Sequence, residues 1–424
     1  MARKRHFVKR FFKAVGPGFV TGAADDDPSG IATYSQTGAL FGYAQLWLVP
    51  FTYPFMTAVQ EMCGRIGLVT GTGLAGVLRR HYPRYVLWSA VTLLLIANVI
   101  NIGADLGAMV AAVQLVLPVP FMPLLIGIAV FILALQVYVP YRSYARFLSY
   151  LTFSLLAYVG VALVVRQDWT GIFYALSVPH IELSRAYVLN IAAFMGTTIS
   201  PYLLFWQADE EVEEEIVRHE IREIGAGTPH LRAGDIAGMR LDTLLGMLAS
   251  QVVAFFIIVS VASTLGGEGG HPIQSAADAA AALRPVAGDF AFLLFALGIV
   301  GTGLLAVPVL AGSVSYAIAE AFGWKEGLGE KPSKAPAFYG TIALVTLAGL
   351  AVNFSSVDAI TLLYWAAIFN GLLAPPLIAL LLLVGNNKKI LGAHTNGPLS
   401  NTLGVLITLF MAAVAATLVY MSVA

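Results

Sequence analysis

The sequence predicts an all-α integral membrane protein of eleven transmembrane helices, and three observations carry that prediction. Of its 424 residues, 58% are hydrophobic and only 11% are charged, where soluble domains carry about 25% charged residues; the mean hydropathy is +0.80. The apolar residues fall in continuous runs near the ~20 residues a helix needs to cross ~30 Å of hydrocarbon. They do not alternate as the strands of a closed barrel would. Positive charges, finally, gather on one side of those runs. Length alone suggests roughly two or three soluble domains, but composition overrides it, and the whole chain, 1–424, reads as one polytopic domain.

In chain order the runs are 14–38, 46–66, 87–116, 120–139, 147–165, 187–207, 241–264, 288–321, 337–352, 359–384 and 402–423. The first holds three aspartates and a Pro-Ser-Gly in its middle. The second ends on Glu61 and Arg65, four apart, a structural pair or gate latch. The third carries Asn98, Asn101 and Asp105 on one face, and the fourth and fifth carry no charged residue. The sixth holds Pro201 at its centre. The seventh is unbroken, the eighth long and the ninth short. The tenth contains Asn370 in FNGLLAPP, and the eleventh closes the chain.

With the N-terminus in the cytoplasm, Lys and Arg number six in 1–13, four in 65–84, two at 142 and 146, four in 218–240, three in 325–334 and two at 388–389. Only Arg166, Arg185 and Arg284 remain outside. The asymmetry fixes orientation and count together, and puts the C-terminus on the extracellular or periplasmic side. Eleven spans without a long outer domain suit a bacterial inner membrane. The basic start MARKRHFVKR lacks a small-residue cleavage site after it, so the first helix reads as retained behind a 1–13 tail. The acidic run DEEVEEE at 209–215, within the polar stretch 208–240, reads as a solvated cytoplasmic helix extension rather than a cation-gathering mouth.

Composition excludes several classes. Twenty-four basic residues balance twenty-four acidic ones, so no global basic excess invites nucleic acid. Cys63 is the only cysteine, which excludes a disulfide framework or thiolate metal site. Seven scattered histidines make no cluster; His180, His271 and His394 read as solvated. No catalytic triad or nucleotide-binding loop lies in the polar segments, so no enzyme is expected, no cofactor, and no obligatory protein partner. The lipid bilayer is the predicted surrounding.

The chemistry concentrates where helices break. Span one reads GPGFVTGAADDDPSGIATYSQTGALF. Pro28 removes a backbone donor and Gly30 frees the chain, so carbonyl oxygens are exposed beside a carboxylate at mid-membrane. Such backbone is tolerated only against protein or a watery cavity, and an acid at that depth marks function. The competing reading is an Asp27 that merely caps a Pro kink. Asp25 and Asp26 are weaker candidates, because neighbours on a helix face different ways. Span six, NIAAFMGTTISPYLLFWQ, breaks at Pro201 after Gly196, Thr197, Thr198 and Ser200. Spans one and six hold equivalent places in two five-helix repeats, 14–165 and 187–384. Paired breaks there point to a transport site between them. Asp105 is a possible ion or proton relay. Asn370 turns its amide either toward the site or to a neighbouring helix.

GPGFVTGAADDDPSG and GTTISPY resemble the Nramp divalent-metal transporters, through about ten of the eleven spans. Nramp proteins carry DPGN in the first helix and Met-Pro-His in the sixth; here stand Asp27-Pro28-Ser29-Gly30 and Ser200-Pro201-Tyr202. That combination is similar to the branch of Nramp-related magnesium transporters. The resemblance implies a LeuT-like fold of two inverted five-helix repeats, an additional eleventh helix, and alternating access. It implies that Asp27 is the metal carboxylate, with carbonyls of Ala24 and Thr197 beside it. Ser200 replaces a soft thioether with a hydroxyl, and oxygen suits Mg2+ and Mn2+. Gly30 subtracts a ligand and its volume, leaving room for the waters Mg2+ tends to keep. The site is thus expected to comprise Asp27, Ala24, Gly30, Thr197 and Ser200, with Asn370, Tyr202 and Asp105 around it. Of the Nramp proton route, Asp105 matches one acid, but Ala108 stands at the second and Tyr202 at the histidine. Tyr, of unperturbed pKa ~10, is a poor acceptor, so uncoupled import of Mg2+, and of Mn2+ with it, is expected. The alternatives are a proton-coupled Mn2+/Fe2+ carrier using Asp105, and a sodium-coupled amino-acid carrier of the same fold, which the Asp27 charge opposes.

Overall fold

The structure is a computed structural model describing residues 16–139, 154–232, 234–266, 272–354 and 357–423. The 1–13 tail, Arg142, Arg146, residues 147–153 of the fifth run, and His271 lie outside the described residues. Among the described residues there is no strand. The helices are α1 Pro17–Asp25, α2 Pro28–Phe41, α3 Leu48–Thr70, α4 Leu74–His81, α5 Arg84–Gln114, α6 Phe121–Tyr138, α7 Leu156–Val164, α8 Trp169–Ser177 and α9 Arg185–Thr198. They continue with α10 Pro201–Val217, α11 Asp235–Thr264, α12 Ala276–Ala281, α13 Arg284–Ala287, α14 Ala291–Phe322, α15 Pro336–Val352, α16 Ala359–Gly385, α17 Lys388–Leu391 and α18 Pro398–Val423.

Every apolar run has a helix on it. Among the described residues seven stretches are long and apolar enough to cross a membrane: Arg84–Gln114, Phe121–Tyr138, Arg185–Val217, Asp235–Thr264, Arg284–Phe322, Ala359–Gly385 and Pro398–Met421. The other four runs are the broken first helix, α3 with its buried Gln60, Glu61 and Arg65, the partly described fifth, and the short α15. Two boundaries differ from expectation. The sixth run continues as helix to Val217, and the seventh begins at Asp235, because polar residues there find partners on neighbouring helices.

Both breaks have the same local cause. α1 ends at Asp25, Asp26 turns out of helical geometry (φ −84°, ψ 49°), and α2 restarts with Pro28 at its first position. α9 ends at Thr198, Ile199 turns out (φ −127°, ψ 61°), and α10 restarts with Pro201. Proline lacks the N–H that a helix start does not use, so it restarts a helix where it cannot continue one.

The first half-helix, α1, is clamped to α11. Asp242 accepts from the backbone N–H of Gly16 (3.0 Å), Gly18 (2.7 Å) and Phe19 (3.2 Å), capping an N-terminus whose own N-cap, Gly16, has no side chain to offer. Below that cap the backbones touch. A Cβ on Gly22 would lie 2.4 Å from Gly246 carbonyl atoms, and one on Gly246 would lie 2.3 Å from the Gly18 oxygen. Gly22→Leu should therefore part α1 from α11. A cysteine at Thr21, wholly buried here, should then label several-fold faster with a membrane-impermeant maleimide in a Cys63→Ser background; unchanged labelling would refute the clamp.

Candidate transport site

The break residues of α1–α2 and α9–α10 converge into an enclosed, oxygen-rich site. Asp27 is the N-cap of α2: its Oδ1 accepts from Ser29 Oγ–H (2.6 Å) and from the Gly30 N–H (2.7 Å). Ser29 Oγ lies 3.5 Å from Thr197 Oγ1, which joins the two breaks directly. Asp27 is 2% exposed, and Thr197 and Ser200 1% each, so this conformation is closed to both sides. Capping does not oppose ion binding at Asp27, because the N–H group it caps also orients the carboxylate.

The expected site residues are brought together, with some roles changed. The Ala24 carbonyl accepts from the Tyr202 hydroxyl (2.9 Å). The Thr197 carbonyl accepts from Ser200 Oγ–H (2.9 Å), which also lies 2.8 Å from the Gly196 carbonyl. Both carbonyls expected to face a metal are thus held by hydroxyls of α10's first turn and its N-cap. Gly30 does not open onto empty space: a Cβ there would meet Thr197 Oγ1 at 3.2 Å, the Asp25 carbonyl at 3.3 Å and the Tyr34 ring at 3.4 Å. The room anticipated at Gly30 is bounded in this closed state by Thr197 of the facing half-helix and by Asp25 and Tyr34 of its own span.

Asp25 and Asp26 do not face apart. Asp25 Oδ2 (2.7 Å) and Asp26 Oδ1 (3.1 Å) share one Ser250 hydroxyl from α11. The helical rule fails because the helix ends between them. Asn370 turns to a neighbouring helix: its Oδ1 accepts from Asn101 Nδ2–H (2.9 Å). Asn98 donates to the Leu310 carbonyl and to Ser313 Oγ. Asp105, fully buried, has neither carboxylate oxygen hydrogen-bonded. Glu61 pairs with Arg65 (3.2 Å) and Arg240 (2.8 Å), and Arg65 also holds the carbonyls of His394 and Thr395. The reading as a structural pair fits that network. Sequence reasoning missed Ser29 and Ser250. A serine two places past a capping Asp was a usable signal; nothing in the sequence singled out Ser250.

The acidic run is the main correction. Asp209, Glu210, Glu211, Glu213 and Glu215 are buried, not solvated. They pack beneath α4 and the end of α14, where Glu213 accepts from Tyr316 Oη–H (2.7 Å) and the Leu328 N–H (2.9 Å). On the adjoining loop, burial, reinforced by Glu320 and Glu213 and opposed by Arg79, pushes the Glu326 carboxyl up to about 10. Only Glu214, paired with Arg218, behaves as the solvated ion pair expected of a helix surface.

Among the described residues no three His, Cys, Asp or Glu side chains converge on an ion. The donors at the breaks are one carboxylate with hydroxyls and carbonyls, as in carriers that place substrate between two discontinuous helices. A membrane bundle with that centre is a transporter, not an enzyme. The family profile described as natural resistance-associated macrophage protein-like (Nramp) matches residues 18–421, and the chain belongs to that family. Its relatives include the divalent metal cation transporter MntH of Caldanaerobacter subterraneus subsp. tengcongensis, 23% identical with 98% of this chain and 94% of that one covered. MntH of Yersinia enterocolitica is 27% identical, covering 93% and 91%. The Eremococcus coleocola manganese transporter, in complex with an aromatic bis-isothiourea substituted compound, superposes with a TM-score of 0.75 at 16% identity, over 96% of this chain and 86% of that one. Mhp1, a nucleobase-cation-symport-1 family transporter, reaches 0.55 at 14%, over 96% and 93%. At such identity these two likenesses carry the fold alone, and that fold is the LeuT-like inverted repeat.

If Tyr202 and a cation compete for the Ala24 carbonyl, Tyr202→Phe changes the site without touching its charge. Binding of Mn2+, followed by calorimetry, should shift at least threefold from wild type; identical isotherms would sever Ala24 from the site.

Proposed function

We propose that the chain imports a divalent cation, Mg2+ with Mn2+ sharing the path, by alternating access and without a coupled proton, as a member of the Nramp-related magnesium transporter branch. The observation that carries this reading is the donor set at the paired breaks. Asp27, Ser29, Thr197, Ser200 and the carbonyls of Ala24 and Thr197 offer oxygen, and Ser200 stands where the resemblance places a thioether. Hard oxygen favours Mg2+ and Mn2+ over softer transition metals. The MntH and manganese-transporter names of its relatives support a divalent cation of this kind.

The absence of coupling is supported at Tyr202. Its hydroxyl donates to a carbonyl (2.9 Å), which occupies it as a structural donor rather than a proton acceptor. Ala108 offers no second acid. Uptake is still downhill, because two charges crossing 100 mV release about 4.6 kcal/mol, roughly three decades of accumulation. The repeats are proposed as 14–165 and 187–384, in a bacterial inner membrane with the N-terminus inside. Asp105, buried with unpaired oxygens, favours one second reading, a proton-coupled carrier.

The test is Mg2+ flux into proteoliposomes with internal pH followed simultaneously. Wild type should take up Mg2+ without internal acidification, and Asp27→Ala should reduce uptake at least a hundredfold. Uptake surviving Asp27→Ala would remove the site, and metal-driven acidification would move the assignment to the coupled reading. Ser200→Met should raise Cd2+ uptake relative to Mg2+ by tenfold or more; an unchanged ratio would detach selectivity from this position.

A further inference from the structure

The transport site leaves a second group of buried acids unused, where α10 passes the start of α4 and the end of α14. Glu320, 4% exposed, is fully engaged: its Oε1 accepts from Thr72 Oγ1–H (2.8 Å) and the Gly73 N–H (2.6 Å), and its Oε2 from the Gly76 N–H (2.8 Å). Asp209 beside it is 1% exposed and has no hydrogen bond to either oxygen. The two carboxylates face each other across Gly73. The place a Gly73 Cβ would occupy is 1.8 Å from Asp209 Oδ1 and 2.8 Å from Glu320 Oε2. The two oxygens therefore lie within about 4.6 Å of one another, a span that one divalent cation with oxygen ligands at ~2.1–2.5 Å bridges. Nearby, Glu326 Oε2 is also buried without a partner. The arginines of this corner spend hydrogen bonds on carbonyls and none on Asp209: Arg79 Nη1–H donates to the Glu320 backbone carbonyl (3.1 Å) and Arg80 Nη2–H to the Gly225 carbonyl (2.9 Å).

We propose that Asp209 and Glu320 form a second divalent-cation site, separate from Asp27, at the end of the bundle read as cytoplasmic. An unpaired buried carboxylate is costly unless a cation compensates it, and here the neighbouring acid already has its donors. Two carboxylates, rather than three, make this a site of moderate charge. Asp209 lies seven residues beyond Tyr202 on α10, two turns along the same face, so an ion there stands in line with the transport site. Only glycine at position 73 leaves the gap open.

The experiment reads Mn2+ bound per purified protein by electron paramagnetic resonance after equilibrium dialysis, which needs no transport. Wild type should bind two ions, Asp27→Ala one, Asp209→Asn one, and the double variant none. Gly73→Ser, which fills the gap without removing an acid, should also bind one and stands in if Asp209→Asn fails size exclusion. Wild-type stoichiometry in Asp209→Asn and in Gly73→Ser would overturn the second site, as would a single ion in wild type lost on Asp27→Ala. Two ions retained in Asp27→Ala would instead count against the transport-site assignment and leave Asp209 to be judged by its own variants.

Discussion

The structure depends on one constraint: a helix broken in the middle of a bilayer must satisfy its freed backbone groups without water. Here the protein does so with side chains of the two breaks themselves. The last turn of α1 leaves the Ala24 carbonyl without a helical donor, and Tyr202 of α10 supplies one. The last turn of α9 leaves the carbonyls of Gly196 and Thr197, and Ser200 supplies both. The first turn of α2 leaves the Gly30 N–H, and Asp27 accepts it. An unsatisfied buried carbonyl costs about 1–3 kcal/mol, so each hydroxyl keeps the break tolerable when no ion is bound. The same carbonyls are the oxygens an ion would use. Binding is then an exchange of donors, hydroxyl for cation, and not the filling of a bare hole.

That exchange gives the family departures a physical meaning. A thioether at position 200 has no hydrogen to donate to the Gly196 and Thr197 carbonyls, so a methionine would leave them dependent on the ion. A hydroxyl relieves that dependence and lowers the preference for soft metals together. Tyr202 likewise trades a titratable group for a fixed donor. In the proposed reading, selectivity and the loss of a proton acceptor both follow from the way the breaks are held.

The fold was legible because lipid imposes a length and a composition that a sequence displays openly; each of the eleven runs carries a helix. The breaks were legible too, since Pro28 and Pro201 cannot continue a helix. What was not legible is what faces what across the bundle. Asp25 and Asp26 look divergent on a helical wheel and meet at Ser250 because the helix stops between them. Asn370 had two available partners, and only the packing of α5 against α16 selects Asn101. DEEVEEE looks like a solvated face because six acids in seven residues usually make one. Its burial depends on donors more than a hundred residues away, Tyr316 and Leu328 among them.

Those buried acids also bear on which half-helix yields when the site opens. α10 is held to other elements by directed bonds, Glu213 accepting from Tyr316 Oη–H and from the Leu328 N–H. Each would have to be broken in low dielectric, where an abandoned carboxylate is most costly. α1 is held differently: Asp242 caps its start, Ser250 and Tyr202 bond its last turn, and between them lie glycine contacts with α11 that carry no directional bonds. Backbone-to-backbone glycine packing is lost smoothly as helices part, and Asp242 sits near the end of the bundle where water can replace it. The middle of α1 is therefore attached by contact alone, and the cost of parting it from α11 is set by the bonds at its two ends, Asp242 at the first turn and Ser250 with Tyr202 at the last.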